Sequence, residues 1–171
     1  MDKRAVGRAH NKLELRNIVL HTSSLERDAS IDPLLYPTHV KRKSKVKVSV
    51  DKVSFEDDEG DTIRILRAYV QLVVRGYNED DEGAEKDPLF TIQAEYRVDY
   101  LERKELTEHE LDAFTQFNSV HNVWPFWRHH VFETVSKASL PQITIPFFKA
   151  IPGAPKAKRS ERRSVARKSS V

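Results

Sequence analysis

Cysteine is absent from this 171-residue chain, which excludes a disulfide framework, a thiolate zinc site and a cysteine nucleophile. Glycine is scarce: there are five, none in GxGxxG or GxxxxGK spacing, so no phosphate-cradling loop is expected. No apolar run approaches the roughly 18 residues that cross a bilayer. The opening MDKRAVGRAHNK lacks the apolar core of a secretory signal. No nucleophile elbow and no spaced Ser/His/Asp set occurs. The expectation is a cytoplasmic protein that is not an enzyme and uses no cofactor.

What charge there is lies unevenly. The formal net charge is +3, but Lys156 to Lys168 alone contribute +6, which leaves the rest of the chain at −3. Basic character therefore belongs to the end of the chain, and residues 151–171, rich in Pro, Lys, Arg and Ser, are expected to be a disordered tail. Residues 1–11 are polar and aperiodic and are expected to form a flexible arm. Between them, 12–150 is one domain.

Alternation of apolar and polar residues marks four strands. In 12–20, Leu13 and Leu15 alternate, then the phase slips to Ile18 and Leu20, which either a bulge or two-sided burial in an assembly explains. Residues 21–40 read as a long connection. In 44–55, Val46, Val48 and Val50 alternate with Lys45, Lys47 and Ser49, and Glu56 to Asp61 forms a hairpin loop. In 62–75, Leu66, Ala68, Val70, Leu72 and Val74 share one face and Ile63 and Ile65 the other, which predicts a bend or bulge near Ile65. After a charged loop over 76–88, residues 89–100 put Phe90, Ile92, Ala94, Tyr96, Val98 and Tyr100 on one face. Two tight loops and one long one leave no room for helical crossovers between these strands, so the sheet is expected to be antiparallel.

Helix signals follow. Thr107 and Glu110 make a capping box, with Leu106 and Leu111 as its staple, for a short helix that carries Leu111, Phe114 and Phe117. Pro125 belongs in a first turn, so a second helix is expected to start near Asn122 and run to about 139, with Trp127, Val131, Val135 and Ala138 on one stripe and Phe132 broadening it. The fold class is α+β: a four-stranded antiparallel sheet followed by a short and a long helix. Two helices cover little of such a sheet, so a second copy is expected to supply part of the core.

Candidate ligand sites fail on geometry. His129 and His130 lie about 100° apart on a helix, so they and His121 make no metal site. The run Asn78 to Gly83 has Leu89 where a calcium loop needs a carboxylate.

Residues 122–147 carry a resemblance. Trp124-Pro125-Phe126-Trp127-Arg128 stands where the SecB family of export chaperones has a phenylalanine-proline-tyrosine-alanine-arginine-type helix start. Ala138-Ser139-Leu140-Pro141-Gln142-Ile143-Thr144-Ile145-Pro146-Phe147 is similar to the family's crossover. Across 12–148 the order of strands and helices resembles that family too. The resemblance implies an ATP-independent holdase for unfolded polypeptides, either exported preproteins or a dedicated client such as an antitoxin. It implies a homotetramer, a dimer of dimers, with an interface at Trp127, Val131, Phe132 and Val135. It implies a client groove lined by Val46, Val48, Val50, Leu140, Ile143, Ile145 and Phe147. Members that serve the motor SecA present carboxylates where this chain has Asn17, His21 and, later, Gln93, which argues against a SecA contact. Ile151-Pro152-Gly153-Ala154-Pro155 breaks the family's final helix. The alternative reading is a nucleic-acid-binding module that uses the basic tail.

Overall fold

Four long strands dominate the chain because apolar and polar residues alternate along them with period two. They are β1 (Leu13–Arg27), β2 (Val40–Glu56), β3 (Thr62–Asn78) and β4 (Phe90–Glu102). The computed structural model describes residues 2–30, 32–78 and 87–148. The acidic loop over 79–86 and the tail over 151–171 lie outside them. All pairings are antiparallel, in the order β1-β4-β3-β2, so β1 and β2 are the sheet edges.

The predicted faces hold. Leu66, Ala68, Val70, Leu72 and Val74 of β3 are buried, as are Phe90, Ile92, Ala94, Tyr96, Val98 and Tyr100 of β4. Gly76 lies opposite Phe90, and a Cβ there would come within 2.5 Å of the Phe90 ring, so only glycine lets that ring lie flat on the strand.

Register explains the phase slip in β1. Shifts between Leu15 and Asn17 and between Leu20 and Thr22 keep Leu15, Ile18, Leu20 and Leu25 opposite Tyr100, Val98, Tyr96 and Ile92, all on the core face. The bend expected near Ile65 is absent: β3 keeps unbroken register with β2 from Thr62 to Asn78 and with β4 from Ile65 to Gly76. Ile63 and Ile65 simply occupy the outer face of a straight alternation. The long connection is shorter than 21–40, because β1 continues to Arg27 and β2 begins at Val40.

Residues 3–10 correct the expected arm. They form α1 (Lys3–His10), capped by Asp2, whose carboxylate accepts from the Arg4 and Ala5 N–H groups at 2.9 and 3.1 Å. Ala5 and Ala9, four apart, are fully buried where α1 packs on α2 (Glu108–Phe114). Two alanines in a polar run give little sequence signal, yet they allow the helices to approach closely. Glu110 fastens this contact through Arg8 at 3.2 Å and Lys12 at 2.8 Å.

The Thr107–Glu110 capping box starts α2 as expected. The break before the long helix does not occur. A π-helical turn, Thr115–Ser119, carries the chain directly into α3 (Val120–Lys137), and Pro125 lies inside α3 on an exposed side. The wider π turn absorbs the irregularity, and the proline costs only the one bond to the His121 carbonyl. Val123, Trp127, Val131 and Val135 of α3 and Phe114 of α2 close the core over β3 and β4. Phe114 meets Tyr100 edge-on, with ring centroids 5.0 Å apart.

Candidate peptide-binding groove

The groove begins where α3 ends. Ser139 takes φ +52° and the Leu140 N–H donates to the Val135 carbonyl at 3.0 Å, a left-handed helix stop that throws residues 140–148 back across the molecule. Two α3 side chains hold this crossover. The Trp124 indole N–H donates to the Pro146 carbonyl at 2.8 Å, and Arg128 Nε donates to the Ile145 carbonyl at 3.0 Å. The Arg128 guanidinium also sits 4.3 Å over the Phe147 ring. Phe148 lies in a ring cluster with Phe117, His121 and Trp124. On the other side, the Arg42 guanidinium of β2 donates to the Thr144 carbonyl.

This bridge to β2 leaves a shallow cleft of about 320 Å³ lined by Val40, Arg42, Gln142, Ile143 and Thr144. Val46, Val48 and Val50 continue along the same strand on the core face, opposite Leu72, Val70 and Ala68, and remain only half-buried. The outer edge of β2 pairs with no other described strand. An open strand edge beside a half-covered apolar stripe can take an extended polypeptide: backbone groups pair with the edge, and alternate side chains enter the stripe.

A solved structure of a SecB-like chaperone from Mycobacterium tuberculosis, in complex with a ChAD peptide from the HigA1 antitoxin, superposes with a TM-score of 0.62 at 15% identity. The match covers 85% of this chain and 98% of that one. The fold is SecB-like. No protein-family model matches the sequence, and no curated protein matches it.

Within this SecB-like fold, only Ile143 of the expected groove residues lines the cleft; Val46, Val48 and Val50 lie further along β2 on its core face, half-buried against the core. Leu140 and Ile145 do not line it; both are buried, and they pin the crossover to the core. Phe147 stands outside, 75% exposed, under Arg128. The expected interface set also divides. Trp127, Val131 and Val135 are buried inside one chain and have no surface to offer a partner, whereas Phe132 is 63% exposed, as is much of Phe126. A helix stripe in the sequence does not say which sheet it covers, and here it covers its own.

Sequence reasoning passed over Trp124, Arg128 and Arg42 as the anchors of the crossover. The i, i+4 spacing of Trp124 and Arg128, which places both on one helix side, was the available signal. The phase slip of β1 allows burial in an assembly without saying which face stays bare. Leu15 and Leu20 are each 46% exposed although they face the core side, because α3 packs chiefly on β3 and β4.

Proposed function

We propose that this chain is an ATP-independent holdase that binds extended segments of unfolded polypeptide along β2 and the crossover. The observation that carries this reading is the half-buried stripe Val46, Val48 and Val50, which leads along β2 from the cleft at Ile143 beside a strand edge that no other described strand pairs with, in a fold whose solved neighbour holds an antitoxin peptide. Burial of client apolar surface there drives binding at about 25 cal/mol per Å², offset by the cost of ordering the client. Such binding reads hydrophobicity and extension rather than a fold, which suits a cytoplasmic chaperone of preproteins or of one antitoxin.

Assembly belongs to the same proposal. The stripe Leu15, Leu20 and Leu25 on β1 and the outward Phe126 and Phe132 on α3 are the surfaces for a dimer of dimers. Together they replace Trp127, Val131 and Val135 in that role.

The test is light scattering of a chemically unfolded client diluted into buffer with equimolar full-length chain and no nucleotide. Slowed aggregation, lost in Val48→Asp with the fold retained, is the expected result. Unchanged aggregation at several-fold molar excess would rule the holdase out.

A further inference from the structure

The face of β2 opposite the groove carries a charge pattern that the holdase reading does not use. Lys41, Lys43, Lys45 and Lys47 alternate onto the outer face of the sheet, all exposed. Their partners on β3 are Tyr77, Arg75, Val73 and Gln71, so these eight positions hold five cations and no carboxylate. Lys43 lies 4.7 Å over the Tyr77 ring, which fixes one ammonium within the row. Along the strand the row spans about 20 Å with a repeat of two residues. The other edge has no such pattern, since β1 mixes Glu14, Arg16, Glu26 and Arg27.

Lysines on an edge strand discourage pairing with like edges. Four in register do more, because they select by sign whatever does pair. A strand that adds to β2 turns alternate side chains to the two faces of the sheet. One set falls beside Val46 and Val48 on the core face; the other set falls beside Lys43, Lys45 and Lys47.

We infer that the client segments taken at the β2 edge are extended stretches in which apolar residues alternate with Asp or Glu. The apolar set fills the groove and the acidic set pairs with the lysine row, so the sheet edge reads both the period and the sign of the client. This rests on the holdase reading and specifies its substrate class. Basic segments, although equally extended, are repelled.

Four short fluorescent peptides test it on the full-length chain by anisotropy: Val alternating with Glu, with Lys or with Ser, and a peptide of Val and Glu segregated into blocks. The Glu peptide is expected to bind roughly tenfold more tightly than the Ser peptide, and the Lys peptide more weakly than either. Lys45→Glu/Lys47→Glu should reverse the order of the Glu and Lys peptides, and the blocked peptide should bind no better than the Ser peptide. The milder Lys43→Gln/Lys45→Gln/Lys47→Gln variant, checked for unchanged thermal unfolding, should abolish the preference without reversing it. Equal binding of the Glu and Lys peptides overturns the inference, and so does equal binding of the blocked and alternating ones. A single-stranded RNA that binds more tightly than the Glu peptide and displaces it also overturns it, assigning the lysine row to phosphates. If the Ser peptide binds and client aggregation is suppressed without any charge preference, this inference fails while the holdase stands. If no peptide binds and aggregation is unchanged, the holdase itself has failed.

Discussion

The two edges of the sheet are both long strands with open backbone groups, yet their side chains make different surfaces. On β1, two register shifts gather Leu15, Ile18, Leu20 and Leu25 onto the core face; Ile18 packs on the core while Leu15, Leu20 and Leu25 stay exposed, with charges of both signs around them. On β2, no shift occurs, the core face is half-buried and tied to the crossover at Arg42, and the outer face carries a row of lysines. An apolar, charge-mixed edge fits a second copy of itself, because the same surface is presented back without repulsion. A lysine row cannot face its own copy cheaply, so β2 suits a foreign chain. On the proposed reading, one sheet would keep self-association and client capture on opposite edges.

The comparison depends first on α3 being core to its own chain. Trp127→Ala should cost about 3–5 kcal/mol of folding stability, read from denaturant unfolding, because the cavity opens between α3 and β3–β4. If subunits dissociated while each stayed folded, the stripe of Trp127, Val131 and Val135 would belong to the assembly surface and not to the core of one chain. The next effect concerns β1 itself. Leu20→Asp should weaken subunit association by at least about tenfold in light scattering, through a charge placed in an apolar contact. The same charge at Ser44→Asp on β2 should leave assembly as it was. Equal loss from both substitutions would erase the distinction between the edges.

A smaller effect tests the β1 side alone. α1 leads directly into β1 and is fastened to α2 by Glu110, whose carboxyl is drawn from the ordinary 4.5 to about 2, first by the hydrogen bond from Lys12, then by the Thr107 N–H and Arg8. A lowered carboxyl stabilises the fold above its unfolded value and loses that contribution as pH falls. The denaturation midpoint should therefore drop between pH 4.5 and about 2, and the drop should be shallower in Glu110→Gln. Parallel pH profiles would mean that Glu110 does not carry the α1–α2 contact.

Much of this architecture was legible because β3 and β4 bury one face each and β2 half-buries one, and burial imprints alternation on sequence. The capping box was legible for the same local reason. The far half of β1 was not: from His21 to Ser24 the strand is polar and exposed on both faces, so it reads as loop. α1 was hidden because its packing rests on two alanines. The groove was half legible. Val46, Val48, Val50 and Ile143 carry their exposure in the pattern, but whether Leu140 and Ile145 face a ligand or the core is decided by Trp124, Arg128 and Arg42 holding the crossover down. Those are tertiary bonds without a local signature.

Hydrogen exchange of the full-length chain with and without an unfolded client tests the central claim most directly. The account predicts slower exchange in residues 40–50 and 141–148 when client is bound, with 13–27 unchanged. Protection confined to 13–27, with none along β2 and the crossover, would contradict it.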